Sequence, residues 1–134
     1  MTYFCPACWR EIVKAEVCPY CQADLREFSD ETFEQKLIRA LHHPEPSTPI
    51  RAATILGKRR TKAAVEPLID LGLSTSDPYV QEAAVVALGL IGDPRARACL
   101  ELLSREGALR TRGAAVSTLE MLAAKIEHPG GQGQ

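Results

Sequence analysis

Aromatic residues are scarce in this chain of 134 residues, of which Phe, Trp and Tyr make up 5%. Ala and Leu dominate from residue 50 onward, and this bias favours closely packed helices over a β-sandwich, which draws on aromatic and β-branched residues. The chain also lacks an excess of either charge, since its formal net charge is −1. It therefore has no overall attraction for nucleic acid or for an anionic membrane.

Long apolar runs and targeting signals are missing as well. No stretch approaches the roughly 20 apolar residues that cross a bilayer. The N-terminal residues Met1–Cys5 contain no basic region followed by an apolar run, so they do not form a secretory signal. We therefore expect a cytoplasmic protein without a membrane partner.

Sequence signatures of catalysis are absent too. The chain has no Gly-rich phosphate loop, no Gly-x-Ser-x-Gly and no His-Glu-x-x-His motif. Its histidines, His42, His43 and His128, fall at predicted helix ends. We therefore expect a protein that is not an enzyme.

Four of the five cysteines form two Cys-Pro-x-Cys turns, at residues 5–8 and 18–21. An odd number of cysteines in a reducing compartment argues against a disulfide framework. Each turn can point two thiolates at one ion, and the residues between the turns allow a short β-hairpin, with Glu11–Val13 and Glu16–Val17 as its strands. Four thiolates then close a tetrahedron around one structural Zn²⁺ ion and leave no position for substrate. The predicted ligands are Cys5, Cys8, Cys18 and Cys21.

The turns have two other interpretations. A redox Cys-x-x-Cys pair normally occurs singly, at a helix start within a βαβ unit, and no such context exists here. Rubredoxin-like iron is the remaining alternative, because thiolates select zinc or iron over hard cations.

Cys99 lies apart from the turns and is expected to be a small buried residue on a helix. A reactive thiol activated by Arg95 and Arg97 is the alternative for that residue.

The segments Phe4–Cys8 and Val17–Cys21 resemble the short zinc-ribbon family found at the N-termini of bacterial proteins. The resemblance covers residues 1–26, which we predict to be a zinc-ribbon module. Family members usually carry Gly directly after each second cysteine, where the backbone tends toward positive φ. Trp9 and Gln22 stand there in this chain, and they are expected to strain the knuckles.

An internal repeat occupies the rest of the chain. The segment Ala52–Gly57 recurs 31–32 residues later as Ala83–Gly89, and more weakly as Ala114–Leu119. Helix pairs stacked at a constant period form a right-handed α-solenoid, in which each repeat contacts mainly its neighbours. We predict a solenoid over residues 30–128 and a disordered tail over 129–134.

Cap and stop residues set the predicted helix boundaries. N-caps are expected at Ser29 or Asp30, Thr48, Asp77 and Asp93, the last three of which precede Pro. Glycines at 57, 72, 92 and 107 are expected to end helices. The predicted helices are about 30–42, 49–58, 62–72, 78–91, 94–104 and 108–127.

The segment Val80–Pro94 resembles a HEAT repeat of the short kind also found in phycobilin-lyase-type proteins. The resemblance extends over residues 37 to about 122 and implies a curved scaffold that binds proteins and occasionally nucleic acid. In the preceding copy, Lys58–Lys62 replaces the usual Ile-Gly-Asp-Pro-like turn, so this corner is atypical. The expected fold is therefore mainly α, a short solenoid of HEAT-like helix pairs with a small N-terminal zinc-ribbon hairpin.

Basic residues concentrate near equivalent turns of the repeats. Because equivalent positions align along a solenoid, they could form a ridge that binds an acidic protein or a phosphate backbone. The alternative is a set of ordinary solvated charges. The residues concerned are Lys58, Arg59, Arg60, Lys62, Arg95, Arg97, Arg110 and Arg112.

The last predicted helix carries few charges. Its apolar residues include Met121 and Ile126. A terminal repeat needs a polar outer side to stay in solution, so we expect a partner contact or weak homodimer there.

Together these features predict a non-catalytic adaptor that binds an unidentified protein. Nucleic-acid binding through the ribbon and the basic turns is the alternative. A third possibility, an accessory subunit of a modifying enzyme, depends on family analogy alone.

Overall fold

The computed structural model of the chain describes residues 3–13, 15–28 and 32–127. Two short strands and a 3-10 turn at Leu25–Phe28 come first, and six α-helices account for most of the other described residues. None of these helices combines the length and the apolar character needed to cross a membrane. The helices are α1 Phe33–Ala40, α2 Ser47–Lys58, α3 Val65–Ser74, α4 Pro78–Ile91, α5 Arg97–Glu106 and α6 Leu109–Glu127.

The helices pack as a short solenoid, as the sequence predicts. Helix α4 lies between α2 and α6, and these three form one layer. The other three helices form a second layer, in which α1 packs against α2, α3 against α4, and α5 against α6. Leucines from both layers fill one continuous core, and five of them are fully buried: Leu41, Leu56, Leu68, Leu88 and Leu100.

Two of the predicted helix caps are confirmed. The Asp77 carboxylate accepts hydrogen bonds from the N–H groups of Tyr79 and Val80 at the start of α4. Asp93 accepts one from the N–H of Arg95 and caps a 3-10 turn, Pro94–Ala96, that leads into α5. Both carboxylates satisfy amide groups that would otherwise lack partners at a helix start.

The other two predicted caps are wrong. Helix α1 starts after Thr32 rather than after Ser29 or Asp30, because Thr32 and Gln35 form a reciprocal capping box, with bonds of 3.1 Å and 2.9 Å. Helix α2 begins at Ser47, so Thr48 lies inside its first turn. Residues 29–31, where the predicted boundary between ribbon and solenoid falls, lie outside the described residues, as does the predicted tail at 129–134.

The glycines serve two different purposes. Gly92 ends α4 in the left-handed conformation, with φ of 73°, as predicted. Gly57 and Gly72, by contrast, lie inside α2 and α3. A Cβ atom on Gly57 would lie 2.9 Å from the Cα atom of Ala87, so this glycine lets α2 and α4 approach closely.

The atypical corner at Lys58–Lys62 keeps the backbone shape of the usual turn without its glycine. Arg60 has a φ of 53° and stands 32 residues before Gly92, at the equivalent place after α2. A left-handed conformation costs a non-glycine residue about 1–2 kcal/mol. The repeat geometry therefore determines the conformation of this corner against the local preference of its residues.

Replacing Gly57 with Ala should lower the free energy of unfolding by about 1–3 kcal/mol, because the new methyl group meets the backbone of Ala87. Urea denaturation of both proteins, followed by far-ultraviolet circular dichroism, measures the difference.

Gly113→Ala is the matched control. Gly113 also lies inside a helix, yet in the described part of the chain no atom other than the nearby backbone of its own helix stands within 4 Å of the position its Cβ would take. That substitution should raise the unfolding free energy by about 1 kcal/mol, since Ala is the better helix former. A Gly57→Ala protein as stable as wild type would contradict the close approach of α2 and α4.

Candidate metal centre and outer helical face

Each Cys-Pro-x-Cys turn folds into a separate knuckle. In the first, the Trp9 N–H donates to the Cys5 carbonyl at 2.8 Å, and the Cys5 N–H donates to the Arg10 carbonyl at 3.0 Å. In the second, Gln22 and Cys18 donate to the carbonyls of Cys18 and Ala23, each at 3.0 Å. The two turns therefore share one hydrogen-bond pattern, and Cys18 takes the place in the second turn that Cys5 has in the first.

The predicted pairing of Glu11–Val13 with Glu16–Val17 is wrong. Strand β1 (Tyr3–Phe4) pairs antiparallel with β2 (Glu11–Ile12) around the first knuckle. Val17 forms an isolated bridge with Asp24 around the second. Each knuckle reverses the chain by itself, so the segments on its two sides become the nearest available partners.

Trp9 and Gln22 adopt the positive φ that the resemblance to zinc ribbons predicts. Their φ angles are 62° and 68°, in the left-handed region that glycine enters without steric cost. The knuckle shape is thus retained, and the missing glycines leave backbone strain at two positions next to the thiols.

The four knuckle sulfurs converge on one point. All of their Sγ atoms lie within 4.8 Å of one another. The distance from Cys5 to Cys21 is 3.7 Å, and that from Cys8 to Cys18 is 3.8 Å. Four sulfurs at about 2.3 Å from a central Zn²⁺ ion would be separated by about 3.8 Å at the corners of a tetrahedron. The spacing of the thiols therefore fits a single metal ion of this size.

Backbone amides favour negative charge on two of these sulfurs. The N–H groups of Ala7 and Cys8 point at Cys5 Sγ, at 3.4 Å and 3.5 Å, and those of Tyr20 and Cys21 point at Cys18 Sγ at the same distances. Burial opposes ionisation of Cys18, but these amides and the neighbouring thiols outweigh it and lower its pKa to about 6.

Cys21 responds in the opposite way. The N–H of Ala23 favours its thiolate, but burial and the neighbouring thiols Cys5, Cys18 and Cys8 outweigh that bond and raise its pKa to about 11. Thiols this close together cannot all ionise unless a cation balances their charge. Four thiolates complete the coordination of a tetrahedral metal, so an ion held here would have a structural role.

The knuckles contact each other and the first helix. The Arg10 guanidinium lies 5.0 Å above the Tyr20 ring and so links the two knuckles. The Trp9 ring meets the His43 ring edge-on at a centroid distance of 5.2 Å, and Arg39 of α1 donates to the Pro6 carbonyl at 3.4 Å. These contacts place the first knuckle against the end of α1.

Cys99 is the buried residue that the sequence predicts. It lies on α5 with 6% of its surface exposed, and burial raises the pKa of its thiol. Both properties oppose the alternative of a reactive thiolate. The nearby Arg97 instead binds Glu101 of its own helix at 3.2 Å.

Most of the predicted basic ridge has partners within the chain. Arg95 bonds Asp93 at 3.0 Å and lies 3.6 Å from Glu66, while Arg59 lies 3.8 Å from Glu34. Arg110 bonds Glu82 at 2.9 Å, and Arg112 donates to the Gly107 carbonyl at 2.8 Å. Among the described residues, no ion pair is found for the side chains of Lys58, Arg60 and Lys62, although Arg95 and, more weakly, Lys62 lower the pKa of the Asp93 carboxyl.

The structure also divides these basic residues between two places. Arg95 donates to the Lys62 carbonyl at 3.3 Å, which brings together the corners that follow α2 and α4. Arg110 instead lies over the Tyr79 ring, 4.4 Å from its centroid, at the beginning of α4. Helix α4 is about 20 Å long, so Arg110 and Arg95 lie near its opposite ends.

An apolar groove on the outer side of the α2–α4–α6 layer was not predicted. It has a volume of about 250 Å³ and lies between α2 and α4. Periodicity assigns apolar residues to a helix face but does not show which of them remain exposed, so the sequence offers only the excess of apolar residues on α4 as a signal. The lining residues are Ile50, Thr54, Tyr79, Glu82, Ala83, Val86, Ala87 and Leu90.

Comparison with known families agrees with the helical packing. The family model described as HEAT repeats matches residues 34–120, well over half of the chain. The chain belongs to the HEAT-repeat family. The matched segment of this HEAT-repeat protein contains α2 to α5 and leaves out the cysteine knuckles. Searches of curated proteins and of solved structures returned no match.

The purified protein should retain one zinc ion per chain, because the metal supplies the folding free energy of a module without a core. Cys18→Ser removes one of the four thiolate ligands and should weaken zinc binding at least about 100-fold. Competition with a chromogenic chelator, together with elemental analysis by mass spectrometry, measures both quantities.

Cys99→Ala is the control for this experiment, because it removes a cysteine that lies far from the knuckles in the fold. It should retain one zinc ion. Wild-type protein without stoichiometric metal, or loss of zinc from Cys99→Ala, would argue against a site made of the four knuckle thiols.

Gln22→Gly should tighten zinc binding by about two- to fivefold. The exchange removes the left-handed strain at φ of 68° but adds backbone freedom to the unfolded chain, for a net gain of about 0.5–1 kcal/mol. Ala23→Gly, one residue further on, has no positive φ to relieve and should weaken binding slightly. Equal effects of the two substitutions in chelator competition would show that the backbone at Gln22 is unstrained.

Proposed function

We propose that this HEAT-repeat protein is a non-catalytic scaffold that binds another protein and carries one structural zinc ion. The observation that supports a binding role most directly is the outer side of the α2–α4–α6 layer, where large apolar side chains remain exposed. Tyr79, Val86 and Leu90 of α4 expose 57%, 47% and 36% of their surface. Exposed apolar patches on a folded domain are typical of protein-binding sites.

The neighbouring helices also carry exposed apolar side chains. Ile55 of α2 is 36% exposed, and Val116 and Met121 of α6 are 46% and 50% exposed. HEAT repeats commonly mediate protein–protein interaction, and the single layer of α2, α4 and α6 presents side chains of three neighbouring helices to a partner. The predicted weak homodimer through α6 would use the exposed Val116 and Met121.

Zinc would hold the knuckle module in one shape beside α1. Four thiols within 4.8 Å support a closed site, and the contact of Trp9 with His43 ties that site to the solenoid. A module fixed in this way offers a second contact point to a partner that covers the solenoid. Two linked contacts raise overall affinity because the second one forms within the complex.

Nucleic-acid binding is the competing function, and one observation favours it. The side chains of Lys58, Arg60 and Lys62 lie close together in sequence at one corner, and none of them forms an ion pair in the described part of the chain. Three cations are few for phosphate binding, which normally engages several phosphates at once. The paired state of Arg59, Arg95 and Arg110 further weakens this function.

Capture experiments with the zinc-loaded chain separate the two functions. The full protein, immobilised and exposed to extract with and without nuclease, should retain a stoichiometric protein identified by mass spectrometry. Substitution of Lys58, Arg60 and Lys62 by Ala should weaken that capture by no more than about fivefold, because charges at the rim of an interface adjust affinity rather than supply most of it. Recovery of nucleic acid alone, lost in the triple variant, would replace the scaffold function with nucleic-acid binding.

A further inference from the structure

We propose that the groove between α2 and α4 binds an acidic amphipathic helix of a partner protein. This inference rests on the proposed scaffold function and names the chemistry of the partner. It combines three features of the described residues: an apolar floor, unpaired cations along one rim, and a length that fits several helical turns.

The floor of the groove is apolar and shallow. Ala83 and Ala87 of α4 are small, so the larger Ile50 on one side and Val86 and Leu90 on the other stand above them. A volume of about 250 Å³ accommodates a few large aliphatic side chains rather than a small polar ligand. An apolar side of a helix, with side chains three or four residues apart, fits such a floor.

The rim formed by α2 is positively charged. Arg51 and Lys58 lie three residues before and four residues after the groove residue Thr54, and therefore on the same exposed side of α2. Helix α2 contains no acidic residue, and no carboxylate partner is found for either cation in the described residues. Carboxylates on the polar side of a bound helix would lie opposite these cations.

The acidic residue that lines the groove is already neutralised. Glu82 Oε1 accepts a bond from Arg110 Nε at 2.9 Å, and the Arg110 guanidinium also covers the Tyr79 ring. Glu82 therefore does not repel an acidic partner. A phosphate backbone is a poorer occupant, because it would leave the apolar floor of Val86 and Leu90 without contacts.

The groove is long enough for a helical segment. Tyr79 and Leu90 both line it and lie eleven residues apart on α4, which corresponds to about 16 Å. Three apolar residues at positions i, i+4 and i+7 of a bound helix span about 10 Å and fit within that length. The structure thus favours a partner segment of two to three turns over an extended interface.

Selection from a random library of phage-displayed peptides tests this proposal. Peptides of about 16 residues span about 24 Å as a helix and so exceed the groove. They are selected on the full zinc-loaded chain without depletion on any groove variant, so that Val86→Glu, which places a charge at an exposed position of the groove, remains an independent test. We expect enrichment of peptides with a net negative charge and apolar residues at the spacing i, i+3 or i+4, and i+7.

Fluorescence anisotropy with one enriched peptide then gives dissociation constants for matched variants. Val86→Glu should weaken binding at least about tenfold, as expected at the centre of an interface. Lys58→Glu, which reverses a rim charge, should weaken it about fivefold at low salt. Leu73→Glu and Arg105→Glu, at exposed positions of α3 and α5 outside the groove, should change it less than about twofold.

The outcomes separate this inference from the scaffold function. Peptides that bind wild type and Val86→Glu equally would overturn the groove and leave a scaffold with another surface. Enriched peptides with a net positive charge would overturn the acidic partner. Failure to select any peptide, combined with salt-sensitive binding of a single-stranded oligonucleotide, would overturn both proposals.

Discussion

The close approach of α2, α4 and α6 is the constraint on which the solenoid depends. Gly57 meets the backbone of Ala87, and a Cβ atom on Gly89 would lie 2.7 Å from the Cγ2 atom of Thr118. These two glycines occupy equivalent places 32 residues apart, so each junction between neighbouring repeats uses the same small residue. Because α1, α3 and α5 cover only one side of this layer, its other side faces solvent. The fold creates that outer face but does not require it to be apolar.

The metal module follows a different physical rule from the solenoid. Its described residues bury Cys5 and Cys18 completely but contribute nothing to the leucine core, so packing alone supplies little of its folding free energy. If all four close thiols are ionised, a cation has to balance their charge. Trp9 directly follows Cys8 and contacts His43 at the end of α1, so the shape of the knuckle and the beginning of the solenoid are physically linked.

Features encoded by adjacent residues could be predicted from the sequence. The two cysteine turns, the Asp-Pro caps at 77 and 93, and the repeat each depend on a few neighbouring residues. The capping box at Thr32 and Gln35 is equally local, although the sequence analysis predicts the cap at Ser29 or Asp30. Features set by distant parts of the chain could not be predicted. The partners of Arg59, Arg95 and Arg110 come from other helices, and only the packed structure shows that these charges are paired.

The positive φ angles show how distant and local effects compete. Trp9, Gln22 and Arg60 each take a left-handed conformation that costs about 1–2 kcal/mol. Zinc binding to small modules is worth about 10–16 kcal/mol, so an ion held by the four thiols would offset this strain at the knuckles. The Trp9 side chain also gains a contact with His43 that glycine could not make. Arg60 does not belong to the cysteine cluster. Its strain must be offset by the packing of α2 and α3 on either side, since the geometry of the repeat imposes a sharp turn there.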